Sequence, residues 1–267
     1  MTGTMCRRGL IAAVLGLCLG AAAVGQAPSP DTLTPAAQLV FRGTVSKVAA
    51  ANLDLVQADA STVVVRVDEV LKAPSTLGDL TGREVTVKLQ KAGSALAGEQ
   101  AVFFANGWLY GATLAVVEVG RLHGDAALLR SQVAAAGQKA ADAALKGWLD
   151  GAALIVAGKV VDTHPAAVAA GVSETVSEHN PQWFEAVLAV DSVFKGKPAS
   201  QLVTFLYPTS KDVQWYEAPR PAVGWDGIWL LYKNQVPELG VDGYTVLKPW
   251  NLLPRDQSGA ILRLLGH

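Results

Sequence analysis

The segment Leu39-Val40-Phe41-Arg42-Gly43-Thr44-Val45 recurs later in the chain as Leu154-Ile155-Val156-Ala157-Gly158-Lys159-Val160. Three further matches follow in the same order: residues 61–72 with 184–195, 84–89 with 201–206, and 98–104 with 224–230. A single match of this kind can arise by chance, whereas four in unchanged order indicate an internal duplication. The sequence therefore predicts two copies of one domain.

Each copy contains short segments typical of β-strands. Val63–Val70 and Val187–Val193 are rich in β-branched residues that alternate with polar ones, and Val85–Leu89 alternates more regularly still. The pairs Asn106-Gly107 and Asp242-Gly243 predict tight hairpin turns. Five strands are counted in each copy in this way. Short, evenly spaced strands favour a small barrel or sandwich.

Helical periodicity follows the strands of each copy. Asp125 suits a helix N-cap, and apolar residues then recur at intervals of three and four, with a shorter counterpart at Gln257–Leu265. We predict two independently packed β domains at residues 36–124 and 152–267, joined by a bridging helix at 125–150. The second domain ends in its own helix.

The first 27 residues have the order of a secretory signal peptide. Arg7 and Arg8 precede an apolar run from Leu10 to Val24, and small residues follow before Pro28. A membrane anchor is the alternative, but the apolar run is shorter than the roughly 20 residues needed to cross a bilayer. Lipidation at Cys18 and twin-arginine export are further alternatives. We predict cleavage near Pro28 and an exported protein, periplasmic or secreted.

Removal of this segment changes the cysteine content and the net charge expected of the mature chain. Both cysteines are lost, so no disulfide and no cysteine-based metal site is expected. The remaining chain has 20 basic and 23 acidic residues, a net charge of −3. That charge argues against nucleic acid as a partner. The apolar content of 51% excludes an intrinsically disordered chain.

The repeated motifs resemble those of the tissue-inhibitor-of-metalloproteinase-like and netrin-type OB barrels. They are Gly43-Thr44-Val45 with Val67-Asp68-Glu69-Val70-Leu71-Lys72, and Gly158-Lys159-Val160 with Val190-Asp191-Ser192-Val193-Phe194-Lys195. The resemblance implies a mainly β fold of two tandem five-stranded OB-like barrels, each followed by a helix. The segments 177–183 and 208–210 also resemble a group of exported bacterial proteins, from which no activity follows.

One departure from the inhibitors matters for function. Tissue inhibitors present the amine and carbonyl of an N-terminal cysteine to the zinc of the protease, and disulfides hold that edge rigid. The mature chain described by this sequence has no cysteine. We therefore do not predict that this protein inhibits metalloproteases.

The sequence contains no recognised catalytic motif of the zinc-protease, phosphate-loop or nucleophile-elbow type. His164 and His179 could meet Asp162 or Glu178 around a metal, and Ser177, His179 and Asp162 could form a hydrolytic set, but sequence does not show their geometry. Asp68 and Asp191 are repeated, so we predict a structural role, capping a turn or pairing with Lys72 and Lys195. We predict no catalytic residue, no metal and no cofactor.

Aromatic residues are concentrated in the second copy, where 12 of the 18 lie from Trp183 onward. This copy also has two long loops, 162–181 and 208–223, and function on small barrels usually lies in such loops. The adjacent rings of Trp215 and Tyr216 are not explained by strand alternation, so at least one is expected to be partly exposed. The alternative is that Trp215 plugs the open end of the barrel. The predicted binding residues are His179, Trp183, Lys211, Trp215, Tyr216, Arg220 and Trp225.

These features favour an exported, non-enzymatic binding module. Its predicted partner is an envelope or extracellular protein, a peptide or a glycan, and neither nucleic acid nor a stable membrane anchor is expected. A metal-dependent or Ser/His hydrolase using the His179 loop is one alternative. A purely structural envelope protein is another.

Overall fold

Five strands of the first copy close into a barrel in the computed structural model, which describes residues 28–111, 113–167, 181–234, 236 and 242–266. They are β1 (Leu39–Val48), β2 (Thr62–Lys72), β3 (Glu84–Lys88), β4 (Gln100–Tyr110) and β5 (Leu114–Leu122). Their order is β1-β2-β3-β5-β4, and β1 pairs with both β2 and β4, which closes the ring. The pairing of β3 with β5 is parallel, and the other pairings are antiparallel.

The second copy repeats this topology. Its strands are β6 (Leu154–Pro165), β7 (Gln182–Lys195), β8 (Leu202–Thr209), β9 (Asp226–Lys233) and β10 (Tyr244–Thr245). The short β10 pairs in parallel with β8 and antiparallel with β9, so this ring also closes. The strand β11 (Leu252–Leu253) pairs antiparallel with β9 at Trp229 and Ile228, whereas β10 pairs with β9 at Lys233 and Tyr232. The predicted fold of two five-stranded OB-like barrels is confirmed.

Gly43 and Gly158 explain why the motif Gly-x-Val occurs in both barrels. The strand register is irregular at this glycine in β1 and in β6 alike. A methyl group on Gly43 would collide with the backbone carbonyl of Arg66, and one on Gly158 would collide with that of Ala189. The first and second strands of each barrel thus approach too closely for any side chain at this position.

Among the described residues, three α-helices accompany the barrels: α1 (Pro30–Ala36), α2 (Ala126–Gly151) and α3 (Ser258–Leu265). The carboxylate of Asp125 accepts a hydrogen bond from the Leu128 N–H at 2.8 Å, so the predicted N-cap begins α2. At a rise of 1.5 Å per residue, this helix is about 39 Å long. Helices follow both barrels as predicted, whereas α1 was not expected.

The long helix α2 contributes to the packing of both barrels. Leu129 and Val133 in its first half join a cluster with Val102 and Phe104 on the outside of β4. Leu145 and Leu149 in its last turns join a separate cluster outside β6 and β9. One continuous helix therefore covers a face of each barrel.

The repeated residues Lys72 and Lys195 donate hydrogen bonds to backbone carbonyls at the ends of helices. Neither lysine pairs with the repeated Asp68 or Asp191. The Lys72 ammonium donates to the carbonyls of Thr34 and Ala37 at the end of α1, at 2.9 and 2.6 Å. The Lys195 ammonium donates to the carbonyls of Leu149 and Asp150 at the end of α2, at 2.7 and 2.8 Å. These carbonyls have no partner within their own helices. A cation at this position also stabilises the helix, because it interacts favourably with the negative end of the helix dipole.

The repeated aspartates have different partners in the two barrels. Asp68 accepts a hydrogen bond from Thr44 at 2.7 Å and pairs with Arg66. Asp191 pairs with Arg255, which also binds Asp226. The predicted pairing of these aspartates with Lys72 and Lys195 is therefore wrong. Both aspartates nevertheless join side chains within their own barrel, as a structural role requires.

Two sequence predictions are wrong because each depends on strand register: the match of 84–89 with 201–206 and the turn at Asn106-Gly107. Val85 and Val203 occupy the same place inside their barrels, facing Val65 and Leu188, so the match of 84–89 with 201–206 is displaced by one residue. Such a displacement moves every side chain to the other face of a strand. Asn106 and Gly107 form no turn, since β4 continues through both and pairs with β5.

The predicted signal peptide lies outside the described residues, as do Ser177, Glu178 and His179. Within the described part of the chain, no helix is long and apolar enough to cross a membrane.

Candidate binding surface on the second barrel

The strands β7 and β8 present an outer face that carries the predicted aromatic site. Along these paired strands alternate side chains point into the barrel, where Ala186, Leu188 and Phe205 pack. Trp183 and Leu206 point the other way and form a cluster outside the barrel. We call the surface of Trp183, Glu185, Thr204 and Leu206 the outer β7–β8 face.

The segment between β8 and β9 folds onto this outer face. The ring of Trp215 packs edge-to-face against Trp183, with 5.7 Å between the ring centroids and an interplanar angle of 73°. Trp215 belongs to the outer cluster of Trp183 and Leu206 and not to the barrel interior. The hypothesis that Trp215 plugs the open end of the barrel is therefore wrong. Trp215 of the segment between β8 and β9 thus contacts the beginning of β7.

Hydrogen bonds within residues 210–220, which we call the 210–220 loop, give it a defined shape. The Trp215 N–H donates to the Asp212 carbonyl at 3.1 Å, and the Gln214 N–H donates to the Asp212 carboxylate at 2.7 Å. The Arg220 guanidinium donates to the Ser210 carbonyl and so joins the two ends of the loop. Local bonds of this kind order a connecting segment without a strand or a helix.

The ordered loop leaves two apolar side chains in solvent. Val213 is 91% exposed and Tyr216 is 73% exposed, although Trp215 between them is half-buried. The expectation that at least one ring of the Trp215-Tyr216 pair is exposed agrees with this arrangement. Exposed Tyr side chains held in place by a buried neighbour bury a large area on binding and lose little conformational entropy.

A groove of about 210 Å³ opens beside the two tryptophans. Leu206 and Ala166 line it and also contribute to the tryptophan cluster, so the groove and the cluster are continuous. Its other wall includes Tyr244, whose ring lies 5.1 Å from the Lys233 ammonium. The outer face thus combines apolar rings with a polar depression.

His164 lies between two carboxylates at the edge of this groove. Its Nδ1 is 3.2 Å from Asp162, and its Nε2 is 3.5 Å from Glu185. His164 is part of β6 and not of the long loop that the sequence suggested, because β6 extends to Pro165. Among the described residues, no group of His, Cys, Asp and Glu is placed to hold a metal ion.

The other predicted binding residues lie at different places around the barrel. Lys211 is exposed on the 210–220 loop, and Arg220 closes that loop. Trp225 lies beyond the loop, where its carbonyl accepts a hydrogen bond from the Val160 N–H of β6 at 2.9 Å, and its side chain is 41% exposed. His179 lies outside the described residues.

No protein-family profile matches this chain, and no curated protein sequence is significantly similar to it.

Sequence reasoning missed Glu185, Leu206 and the groove they line. A signal was present, because alternation along β7 places Glu185 on the same side as Trp183. The partner strand and the return of the 210–220 loop could not be obtained from that alternation. Both depend on contacts between residues far apart in sequence.

Proposed function

We propose that this protein is an exported, non-enzymatic binding module that recognises a partner protein or peptide through the outer β7–β8 face and the 210–220 loop. The observation that carries the proposal is the exposure of Val213 and Tyr216 on a loop anchored by the Trp183–Trp215 contact. A solvent-exposed apolar tip on an ordered loop has no role in the core of its own barrel. Such surfaces are typical of recognition sites.

The position of this surface on the barrel supports the proposal. The strands β7 and β8 are the second and third of their ring. In OB barrels the face of the second and third strands, with the loops that join strands 1–2 and 4–5, binds ligands such as oligonucleotides and oligosaccharides. The 210–220 loop joins the third and fourth strands, so this precedent supports the outer β7–β8 face alone. The acidic side chains Asp162 and Glu185 at the groove and the net charge of −3 for the chain after residue 27 disfavour a polyanion.

The polar groove favours a glycan as the second candidate. Glu185, His164 and Tyr244 would offer hydrogen bonds and an aromatic face to a neutral sugar. A protein partner would depend mainly on Tyr216 and Val213, whereas a glycan would depend mainly on Glu185. Variants of these residues therefore distinguish the two candidates.

The test uses purified protein immobilised and exposed to the envelope and extracellular fractions of the source cells. We expect Tyr216→Ala to weaken retention of the specific partner at least tenfold. The matched control is Leu96→Ala in the first barrel, an apolar side chain that is also 73% exposed and lies outside both proposed sites. Equal retention by both variants and the parent chain would contradict the proposed surface.

A panel of neutral oligosaccharides, followed by calorimetry, tests the glycan candidate. Binding that is lost in Glu185→Gln and kept in Tyr216→Ala would favour a glycan over a protein. The control is Glu84→Gln, which changes an exposed carboxylate of the first barrel outside the proposed surface. Hydrolysis of any bound oligosaccharide or peptide during the assay would instead support the hydrolase alternative.

A further inference from the structure

The first barrel has a cavity at one open end, far in sequence from the surface described above. Its volume is about 290 Å³. Its base consists of apolar side chains that belong to the barrel core or pack against it: Leu39, Leu77, Leu114 and Val116. The rings of Trp108 and Tyr110 stand at its rim, both partly or largely exposed.

The second barrel is an internal comparison for this cavity. Leu39 and Leu154 are equivalent, and they face Ala105 and Leu231 on the neighbouring strand. Two residues further along that strand, Gly107 faces Val116 in the first barrel, and Lys233 faces Tyr244 in the second.

The three positions compared in this way all carry smaller residues in the first barrel. They are Ala105, Gly107 and Val116, against Leu231, Lys233 and Tyr244. Tyr244 packs against the core of its barrel, whereas Val116 leaves that volume open. At this end of the fold, the Tyr244 ring therefore occupies volume in the second copy that Val116 leaves open in the first.

The chemistry of the lining selects the ligand. Every residue that lines the cavity is uncharged. The carbonyl oxygen of the Gln38 side chain accepts a hydrogen bond from the Gly107 N–H at 3.1 Å. The Lys88 ammonium lies 4.9 Å from the Trp108 ring at the rim, but a charged group at the base would lose hydration without a charged lining residue beside it. The walls therefore favour a neutral, apolar molecule.

The volume limits the size of that molecule. An engineered apolar cavity of about 150 Å³ holds benzene, so this cavity has room for a molecule of two fused rings or a short branched chain. We propose that the open end of the first barrel is a binding site for a small, neutral, aromatic or aliphatic molecule. This site is separate from the outer β7–β8 face. The proposal does not depend on the function proposed above.

The probe for the test is indole, which is neutral and has two fused rings. Indole is titrated into protein carrying labelled Leu and Val methyl groups, and the methyl shifts are followed by nuclear magnetic resonance. We expect saturable shifts concentrated at Leu39, Leu77, Leu114 and Val116. The absence of saturable shifts, or shifts concentrated elsewhere, would overturn the proposal.

The second barrel supplies the variant, since Val116→Tyr introduces the residue found at the equivalent place there. We expect it to weaken indole binding at least tenfold. Val117→Tyr is the matched control, because Val117 is adjacent on β5, partly exposed, and does not line the cavity. We expect that control to change binding less than twofold.

A thermal unfolding curve for each variant separates filling of the cavity from loss of fold. Should Val116→Tyr fail to fold, Leu77→Trp fills the cavity from the half-buried position of Leu77 in the segment 75–77 and is expected to give the same loss. Unchanged indole binding in a folded variant of either kind would refute the site.

Discussion

Lys72 and Lys195 occupy equivalent positions in the two barrels, and each donates hydrogen bonds to carbonyls at the end of the helix that precedes its barrel. The sequence repeat thus preserves a link between helix and barrel. Because α2 follows the first barrel and precedes the second, the Lys195 contact also attaches the second barrel to the helix that covers the first.

Replacing either lysine removes hydrogen bonds from the end of a helix. We expect Lys72→Met and Lys195→Met each to lower the free energy of unfolding by about 1–2 kcal/mol, measured by chemical denaturation. Lys47→Met and Lys197→Met change exposed lysines and serve as matched controls. Equal stability of variants and controls would show that these bonds contribute nothing measurable.

A methyl group has opposite expected effects at different glycines. Gly43→Ala and Gly158→Ala force a collision with a neighbouring backbone carbonyl, so we expect each to destabilise the protein by about 2 kcal/mol or more. Gly147→Ala lies in α2 with open space around the added methyl group. We expect that change to stabilise the protein by about 0.5–1 kcal/mol, because alanine favours helix. Thermal unfolding distinguishes the two signs.

The edge-to-face contact of Trp183 and Trp215 is measurable as a coupling energy. A double-mutant cycle with Trp183→Leu and Trp215→Leu is expected to give a coupling of about 0.5–1.5 kcal/mol. Tyr216→Ala should change the free energy of unfolding by less than about 0.5 kcal/mol, since its side chain is in solvent. A large loss of stability in Tyr216→Ala would show that this ring supports the fold and is not free for binding.

The ion pair between β2 and α2 predicts a dependence of stability on pH. Two hydrogen bonds from Arg130, at 2.6 and 2.8 Å, lower the pKa of Glu69 below its usual value of 4.5. The unfolded state therefore binds the proton more readily, so the contribution of the pair is present at neutral pH and is lost as the pH falls below about 4.5.

This dependence is tested with Glu69→Gln. We expect the variant to be less stable than the parent by about 0.5–1 kcal/mol at pH 7, and the difference to shrink as the pH falls below 4.5, the usual pKa of Glu69. Chemical denaturation across that range provides the measurement, with Glu217→Gln as an exposed control. A difference that persists unchanged at low pH would exclude the ionised pair as its cause.

Truncation tests whether the barrels fold independently, which stays a prediction of the sequence repeat. A chain of residues 28–146 keeps the part of α2 that packs on the first barrel, so we expect one cooperative thermal transition. A chain of residues 152–266 lacks Leu145 and Leu149, and we expect it to be less stable than residues 141–266 by at least about 2 kcal/mol. Loss of cooperativity in the 28–146 chain would contradict independent folding.

The sequence alone determined the duplication, the strand-rich copies and the helices that follow them. These features depend on local patterns, namely β-branched alternation in Val63–Val70 and helical spacing after Asp125, which are visible without knowledge of any partner. The aromatic site was also visible in part, because an adjacent Trp215-Tyr216 pair does not fit strand alternation.

Only the tertiary structure decided which residues meet. Cross-strand register placed Asn106-Gly107 inside β4 and aligned Val85 with Val203, and helix ends took Lys72 and Lys195 as partners in place of the repeated aspartates. The return of Trp215 to Trp183 and the cavity beside Val116 likewise depend on segments far apart in sequence. Local patterns specify which face of a strand is apolar, but the volume and contacts on that face depend on what the rest of the chain brings to it.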